Sequence, residues 1–259
     1  MFQLLNFQNN EVNEMNWKNM FPEEKRYFET ENGILYCGDC LEIMKKFPEK
    51  SVDLIITSPP YNLGRKHHTG NKYHSPYFDN MFESEYQEWQ INVLNECYRI
   101  LKLCGSVLYN HKNRIKKGIQ ITPYEWLLKT KFIIKQEIVW INGSQNFDKI
   151  RFYPFTERVY WLAKLPETKL HNCINKYDVF DRREWKPVGT RGNFKRAFPE
   201  KMVEDLISVF PNADVVFDPF FGSGTVGIVA EKLNRRWIGI ELNPEYCEIA
   251  KQRIIGEVD

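Results

Sequence analysis

No uncharged apolar run in this 259-residue chain approaches the roughly 20 residues that a membrane-spanning helix needs. A helical membrane protein is excluded on that ground. The first residues, MFQLLNFQNNEVNEMNW, lack the basic start and long apolar stretch of a secretory leader, so a cytoplasmic location is expected. Cysteine is sparse and badly arranged for a metal. Of six residues, Cys37 and Cys40 form one CxxC, while Cys97, Cys104, Cys173 and Cys247 are scattered, and no His pair stands at finger spacing. That pattern excludes a structural zinc site; reduced thiols and no metal are expected. Charge of one sign is not in excess either. A net charge of +2 argues only weakly for an anionic partner. The GxxxxGK[ST] loop of triphosphate sites is missing. So are internal repeats and low-complexity tracts.

What is present is an ordinary globular composition. A hydrophobic share of 42% and a charged share of 27% suit one large core or two small ones. Strand and helix signals alternate along the chain. Apolar, β-rich runs at 33–39, 51–57, 106–112, 132–141, 157–164, 213–218 and 236–242 read as strands. Helical spacing appears at 40–48, 84–103, 123–130, 198–210, 225–234 and 244–254. Ser84 is the expected N-cap of the long helix, and Pro199 is expected in the first turn of its own. Such alternation predicts an α/β fold with a doubly wound, mostly parallel sheet. We expect a single domain over 1–259. The polar segment 165–197, without periodicity, is the nearest thing to a linker.

Two stretches carry chemistry. TSPPYN, at 57–62, follows the apolar strand SVDLII. Its two prolines end the ladder and hold the chain extended, giving a stiff turn that carries a hydroxyl, an aromatic ring and an amide. VVFDPFFGSGTVG, ending at Gly227, runs a strand into Asp218, then turns on Gly222 and Gly224 before a helix begins near Thr225. Backbone N–H groups and a helix N-terminus thus meet at the carboxyl end of a strand, where doubly wound folds bind ligands. Glu241 follows Asp218 by 23 positions, an offset at which an acidic side chain takes ribose hydroxyls. Asp218 beside the turn would repel a pyrophosphate and welcome a cation. A third stretch, 182–201, is rich in Lys and Arg with Trp and Phe interleaved. It suits phosphates and bases, or else a solvated surface loop.

TSPPYN together with DPFFGSGT resembles the amino-methyltransferases of DNA, which methylate cytosine N4 or adenine N6. The resemblance covers about residues 33–254. Ser58 precedes Asp218 by 160 positions, the motif order of the circularly permuted β subgroup, with target recognition placed between them. The resemblance implies a methyltransferase-type sheet in which Val215–Asp218 is the first strand, Trp237–Glu241 the second, the strand ending at Asp39 the third and Asp53–Thr57 the fourth. It also implies S-adenosylmethionine as cofactor, held by Asp39, Asp218, Phe220, Gly222, Gly224, Thr225, Glu241 and Asn243. Catalysis falls to the turn Ser58, Pro59, Pro60 and Tyr61. The Ser58 side chain and Pro59 carbonyl would accept the amino hydrogens, and Tyr61 would stack on a base flipped from the duplex.

DNA contacts are expected from Arg182, Arg183, Arg191, Lys195 and Arg196 within a target-recognition segment at 165–197. The family's Pro-containing segment corresponds to FKRAFPEK, where Ala197-Phe198-Pro199 replaces the usual His-Pro-Thr. Ser58 favours cytosine N4, while Asn62 is common among adenine enzymes. His67, His68 and His74 read as a polar loop over DNA, and Trp140 and the Tyr153–Phe155 aromatics as core or groove lining. A homodimer and a cognate restriction endonuclease are the partners the family suggests besides DNA. Competing readings are an RNA or protein-amide methyltransferase, whose protein-amide members carry Asn first and the reverse motif order, and a non-catalytic nucleic-acid-binding protein.

Overall fold

The computed structural model describes residues 16–63, 80–143, 150–172, 177–181, 183–186 and 197–257. Continuous apolar runs become strands covered on both faces, the environment that makes alternation unnecessary. β1 (Arg26–Glu29) and β2 (Gly33–Cys37) precede a short helix, α1 (Cys40–Met44), and β3 (Val52–Thr57). The long helix α2 (Glu83–Ile100) leads into β4 (Leu101–His111), a small hairpin of β5 (Arg114–Lys116) and β6 (Ile119–Ile121), and α3 (Tyr124–Leu127). β7 (Ile133–Trp140), β8 (Glu157–Ala163) and a two-residue β9 (Val179–Phe180) follow. The chain continues through α4 (Glu200–Ser208), β10 (Val215–Asp218), α5 (Thr225–Lys232), β11 (Arg236–Glu241) and α6 (Pro244–Ile254).

Nine strands form one sheet in the order β1–β2–β11–β10–β3–β4–β8–β7–β9. From β2 to β4 every neighbour is parallel, while β1, β8 and β7 add antiparallel pairs at the flanks. The sheet is α/β and mostly parallel, as expected. Its parallel centre runs third, second, first, fourth in the family's strand numbering. One face is packed by α1, α2 and α3 around Met44, Phe47, Val93, Leu94 and Trp126. The other is packed by α4, α5 and α6 around Leu206, Val226, Val229, Cys247 and Ala250. Both layers have to be filled for the central strands to stay dry.

Several local expectations are corrected. Ser84 lies inside the first turn of α2; Phe82 occupies the N-cap without a side-chain bond. Glu83 explains the shift, because its carboxylate sits at the helix start and holds Arg114 through two bonds of 2.7 and 2.9 Å. Pro199 is the N-cap of α4, with extended backbone, not a member of its first turn. The strand expected at 106–112 begins at Leu101, directly after α2, because pairing with β3 starts there. β1, β9 and the β5–β6 hairpin are too short or too polar to announce themselves.

Part of the 165–197 segment is built into the sheet. Val179 and Phe180 pair with Val139 and Trp140. Trp185 is fully buried, stacks on Phe180 at 3.8 Å and donates its Nε1 proton to Asp205 of α4. Truncating a side chain so buried costs about 3 to 5 kcal/mol. These residues, Val179, Phe180 and Trp185, are fastened to the sheet and to α4.

Candidate active site

The register of the sheet brings the two sequence motifs together. β10 pairs with β3 through Val216↔Leu54 and Phe217↔Ile55, so both strands deliver their carboxyl ends side by side. The last residue of β3, Thr57, donates its hydroxyl proton to Asp218 Oδ1 at 2.7 Å, and both residues are buried. Asp218 Oδ1 also accepts the Phe220 N–H at 2.9 Å. Burial raises the Asp218 pKa to about 7, against the lowering effect of these bonds and with help from the Glu241 charge. A nearby cation would favour the charged form of such a buried carboxyl group.

The proline turn is closed by Asn62, a left-handed residue at φ 53°. Asn tolerates that conformation better than most residues. Its side chain clasps Met81, accepting the backbone N–H at 2.7 Å and donating to the carbonyl at 3.1 Å. Asn62 therefore has a structural job, holding the end of the turn to Met81.

Ser58 and Tyr61 face two polar residues that no sequence motif marks. Asn110, near the end of β4, donates its Nδ2 to the Arg158 carbonyl at 2.9 Å, which turns its Oδ1 towards the motif. That oxygen lies 2.6 Å from the Tyr61 hydroxyl and 3.2 Å from the Ser58 hydroxyl. Ser58 Oγ also lies 2.8 Å from the Tyr61 hydroxyl, and with its one proton given to either partner it keeps a lone pair for an incoming donor. Glu157, first residue of β8, places Oε2 at 3.1 Å from the Tyr61 hydroxyl. The Tyr61 hydroxyl thus has Asn110, Glu157 and Ser58 within hydrogen-bond reach. Burial raises the Glu157 pKa above the usual carboxylate value, and raises that of Tyr61 well above the usual phenol value. The residues stand 52 and 96 positions apart in sequence, beyond the reach of any local pattern.

The glycine turn is organised by Glu241. Its Oε2 accepts the Gly222 N–H and its Oε1 the Asn243 N–H, both at 2.8 Å. Gly224 is the left-handed N-cap of α5 at φ 83°, where an added Cβ would meet Ala250 at 2.9 Å. Gly227 completes a GxGxxG spacing beyond the GxG of the turn, and its Cβ would clash with the Phe221 ring at 2.5 Å. That is the close packing of helix on strand such a third glycine serves. At Gly222 an added Cβ would meet only the Phe220 carbonyl, at 3.9 Å, so the space before this backbone is open. Asn243 caps α6 through Oδ1, leaving a buried Nδ2 with no partner among the described residues. Phe220 packs on Trp89 at 5.4 Å. Asp39, at the end of the neighbouring β2, caps α1 by accepting the Glu42 N–H at 3.0 Å. Thr225 is buried at the start of α5.

Of the basic residues expected at DNA, Arg183 is exposed and paired with Asp181 in its own turn. Arg182, Arg191, Lys195 and Arg196 lie outside the described residues, as do His67, His68, His74 and Cys173. Trp140 is core, as expected, with its Nε1 donating to the Trp185 carbonyl at 3.0 Å. Tyr153 and Phe155 are exposed. No helix among the described residues is long and apolar enough to cross a membrane.

The chain is similar in sequence and fold to known methyltransferases. The Type II methyltransferase M.BamHI of Bacillus amyloliquefaciens is 31% identical over 275 aligned positions, which cover 93% of this chain. The chain spans 61% of that relative's length. Among solved structures, the cytosine-N4-specific PvuII DNA methyltransferase superposes with a TM-score of 0.75 at 26% identity, covering 92% of each chain. The complex of M1.HpyAVI with its cofactor SAM (S-adenosylmethionine) gives 0.59 at 26% identity, covering 86% of this chain and 98% of that one. A family model described as DNA methylase, for N6 and N4 enzymes, matches residues 52–252, and with both motifs at adjoining strand ends the chain belongs to that DNA methylase family.

Proposed function

We propose that this protein transfers a methyl group from S-adenosylmethionine to the exocyclic amino nitrogen of a base flipped out of duplex DNA, with cytosine N4 as the target. The observation that carries the reading is the Thr57–Asp218 hydrogen bond of 2.7 Å, which fixes the proline turn against the glycine turn. Acceptors for an amino group and a receptor for a cation then stand at adjoining strand ends. When bound, the cofactor supplies an electrophilic methyl group on a sulfonium. Asp218 would hold its cationic amino acid end, and Glu241 its ribose. The open backbone at Gly222 and the unpartnered Nδ2 of Asn243 fit such a guest. Asp39, Phe220, Gly224 and Thr225 complete the cradle.

The amino nitrogen is a poor nucleophile because its lone pair is delocalised into the ring. Ser58 Oγ and the Pro59 carbonyl accept its two hydrogens, favour a pyramidal nitrogen and stabilise the charge that develops. Tyr61 stacks on the ring, and Pro60 keeps the turn stiff. In-line geometry supplies most of the rest. Ser58 and the likeness to the PvuII enzyme support cytosine. Asn62 gives adenine no support, since its clasp on Met81 accounts for it. Adenine N6 is the second reading, favoured by nothing else on the site.

Arg183 and the basic residues Arg182, Arg191, Lys195 and Arg196 are the proposed phosphate ligands, within a single methyltransferase domain whose 165–197 segment takes part in target recognition. Neutralising two that touch phosphates should weaken DNA binding and reduce the salt slope by about one unit for each phosphate left unneutralised. A salt titration with unchanged slope assigns these residues to solvent. A homodimer, a cognate endonuclease and a cytoplasmic location belong to the same proposal. The reading as a whole is tested by incubating the protein with tritium-labelled cofactor and DNA, RNA or protein. Label in DNA alone supports it, and label confined to RNA or protein overturns it.

A further inference from the structure

The proline turn rests on a buried polar chain that no motif announces. Tyr86 of α2 is 1% exposed, and its hydroxyl lies 2.6 Å from the Pro60 carbonyl oxygen. The same hydroxyl oxygen is 2.8 Å from Gln90 Nε2 and 2.8 Å from His111 Nε2. Proton counting settles who donates. Trp126 Nε1 donates to the Tyr109 hydroxyl at 3.1 Å, so the Tyr109 proton goes to Gln90 Oε1 at 2.9 Å. Gln90 must then point its Nε2 at Tyr86 and donate. The single Tyr86 proton remains for Pro60 or for His111.

His111 is fully buried, and burial pushes its pKa down to about 3, so it is neutral and carries one ring proton. Its Nδ1 stands 2.9 Å from the Lys112 N–H and 2.8 Å from the Lys112 carbonyl, so the ring alone fits either tautomer. The Pro60 carbonyl, the shorter contact, decides. If Tyr86 donates there, His111 donates from Nε2, its Nδ1 accepts from the Lys112 N–H, and all three atoms around the Tyr86 oxygen are satisfied. The Tyr86 ring itself is clamped. The Arg114 guanidinium lies 4.7 Å from the Tyr86 centroid and 5.5 Å from that of Trp126, and Glu83 holds it through two bonds.

We propose that Tyr86 is a positioning residue for methyl transfer: its hydroxyl, oriented by Gln90 and by His111 as an Nε2–H donor, holds the Pro60 carbonyl and thereby sets the height of the Ser58 and Pro59 acceptors. This rests on the reading of the turn as catalytic. The turn is otherwise pinned by Thr57 on one side and by the Asn62 clasp on the other, and Tyr86 fixes the peptide between them. Misplacement of an acceptor by about 1 Å is enough to cost 10²-fold in rate.

The test compares wild type, Tyr86→Phe, His111→Gln and His111→Leu in methyl transfer to DNA, with cofactor affinity by calorimetry and flipping by 2-aminopurine fluorescence at the target position. Tyr86→Phe should lower kcat at least tenfold while cofactor affinity, KM for DNA and the flipping signal stay within about twofold. His111→Gln, which keeps a donor, should retain most of the rate, and His111→Leu should not. A kcat for Tyr86→Phe equal to wild type overturns the proposal. So does a loss matched by an equal fall in cofactor affinity, which would be merely structural. Should Tyr86→Phe not fold, the His111 pair decides: equal rates for Gln and Leu overturn it. Wild type that transfers no methyl to DNA removes the catalytic reading and this inference together, an outcome distinct from all of these.

Discussion

Ser58→Ala is expected to lower kcat by about 10² to 10³, the usual loss when one preorganised partner of a developing charge is removed. The physical reason is that the hydroxyl oxygen is aimed. It stands 2.8 Å from the Tyr61 hydroxyl and 3.2 Å from Asn110 Oδ1, and the Asn110 amide is held by its bond to the Arg158 carbonyl. Alanine leaves the turn intact, since its prolines, the Asn62 clasp and the Thr57 bond do not involve Ser58. Cofactor affinity should therefore stay at the wild-type value, and single-turnover rates should carry the whole loss. A variant with the wild-type single-turnover rate would show that the turn accepts nothing in the transition state.

Asp218 provides the second large effect, and it depends on pH. Its folded pKa, about 7, stands above the unfolded value of 3.8. The group therefore contributes stability that is fully present below pH 3.8 and is lost as pH rises through 7. The integrated loss is at most roughly 4 kcal/mol. A cation in the cleft reverses the preference, because it favours the ionised carboxylate. Binding of S-adenosylmethionine near pH 6 should thus release close to one proton, and above pH 8 almost none. Calorimetry in buffers of different ionisation enthalpy counts those protons directly. Asp218→Asn should abolish the release and weaken binding by about 1.5 to 3 kcal/mol, and Glu241→Ala should weaken it by a similar amount. Wild-type affinity in both variants, with no proton release at pH 6, would move the cofactor site elsewhere.

Much of the fold is legible in the sequence because its central strands are buried on both faces. Gly33–Cys37, Val52–Thr57, Val215–Asp218 and Arg236–Glu241 are apolar without alternation, and the two motifs fall where those strands end. What could not be read lacks a local signature. β9 has two residues and exists only through its partner β7. Ser84 has the chemistry of a cap, yet Glu83 starts the helix because Arg114, 31 residues on, binds it there. Asn110, Glu157, Tyr86 and His111 belong to no motif in the sequence. Each acquires meaning from an atom on another element: a hydroxyl of the turn for Asn110 and Glu157, the Pro60 carbonyl for Tyr86, and the Tyr86 hydroxyl for His111. Gly227 is visible in the sequence, but its role is clear only against the Phe221 ring.

Identifying the modified nucleoside tests the central claim most directly. DNA incubated with the protein and S-adenosylmethionine, digested to nucleosides and resolved by mass spectrometry, should contain N4-methylcytosine, and the Ser58→Ala protein should leave far less of it. Methyladenine at N6 would keep the chemistry and overturn the choice of base. A methyl group on a ring carbon, or no methylated nucleoside at all, would contradict an amino-group transfer at the Ser58–Tyr61 turn.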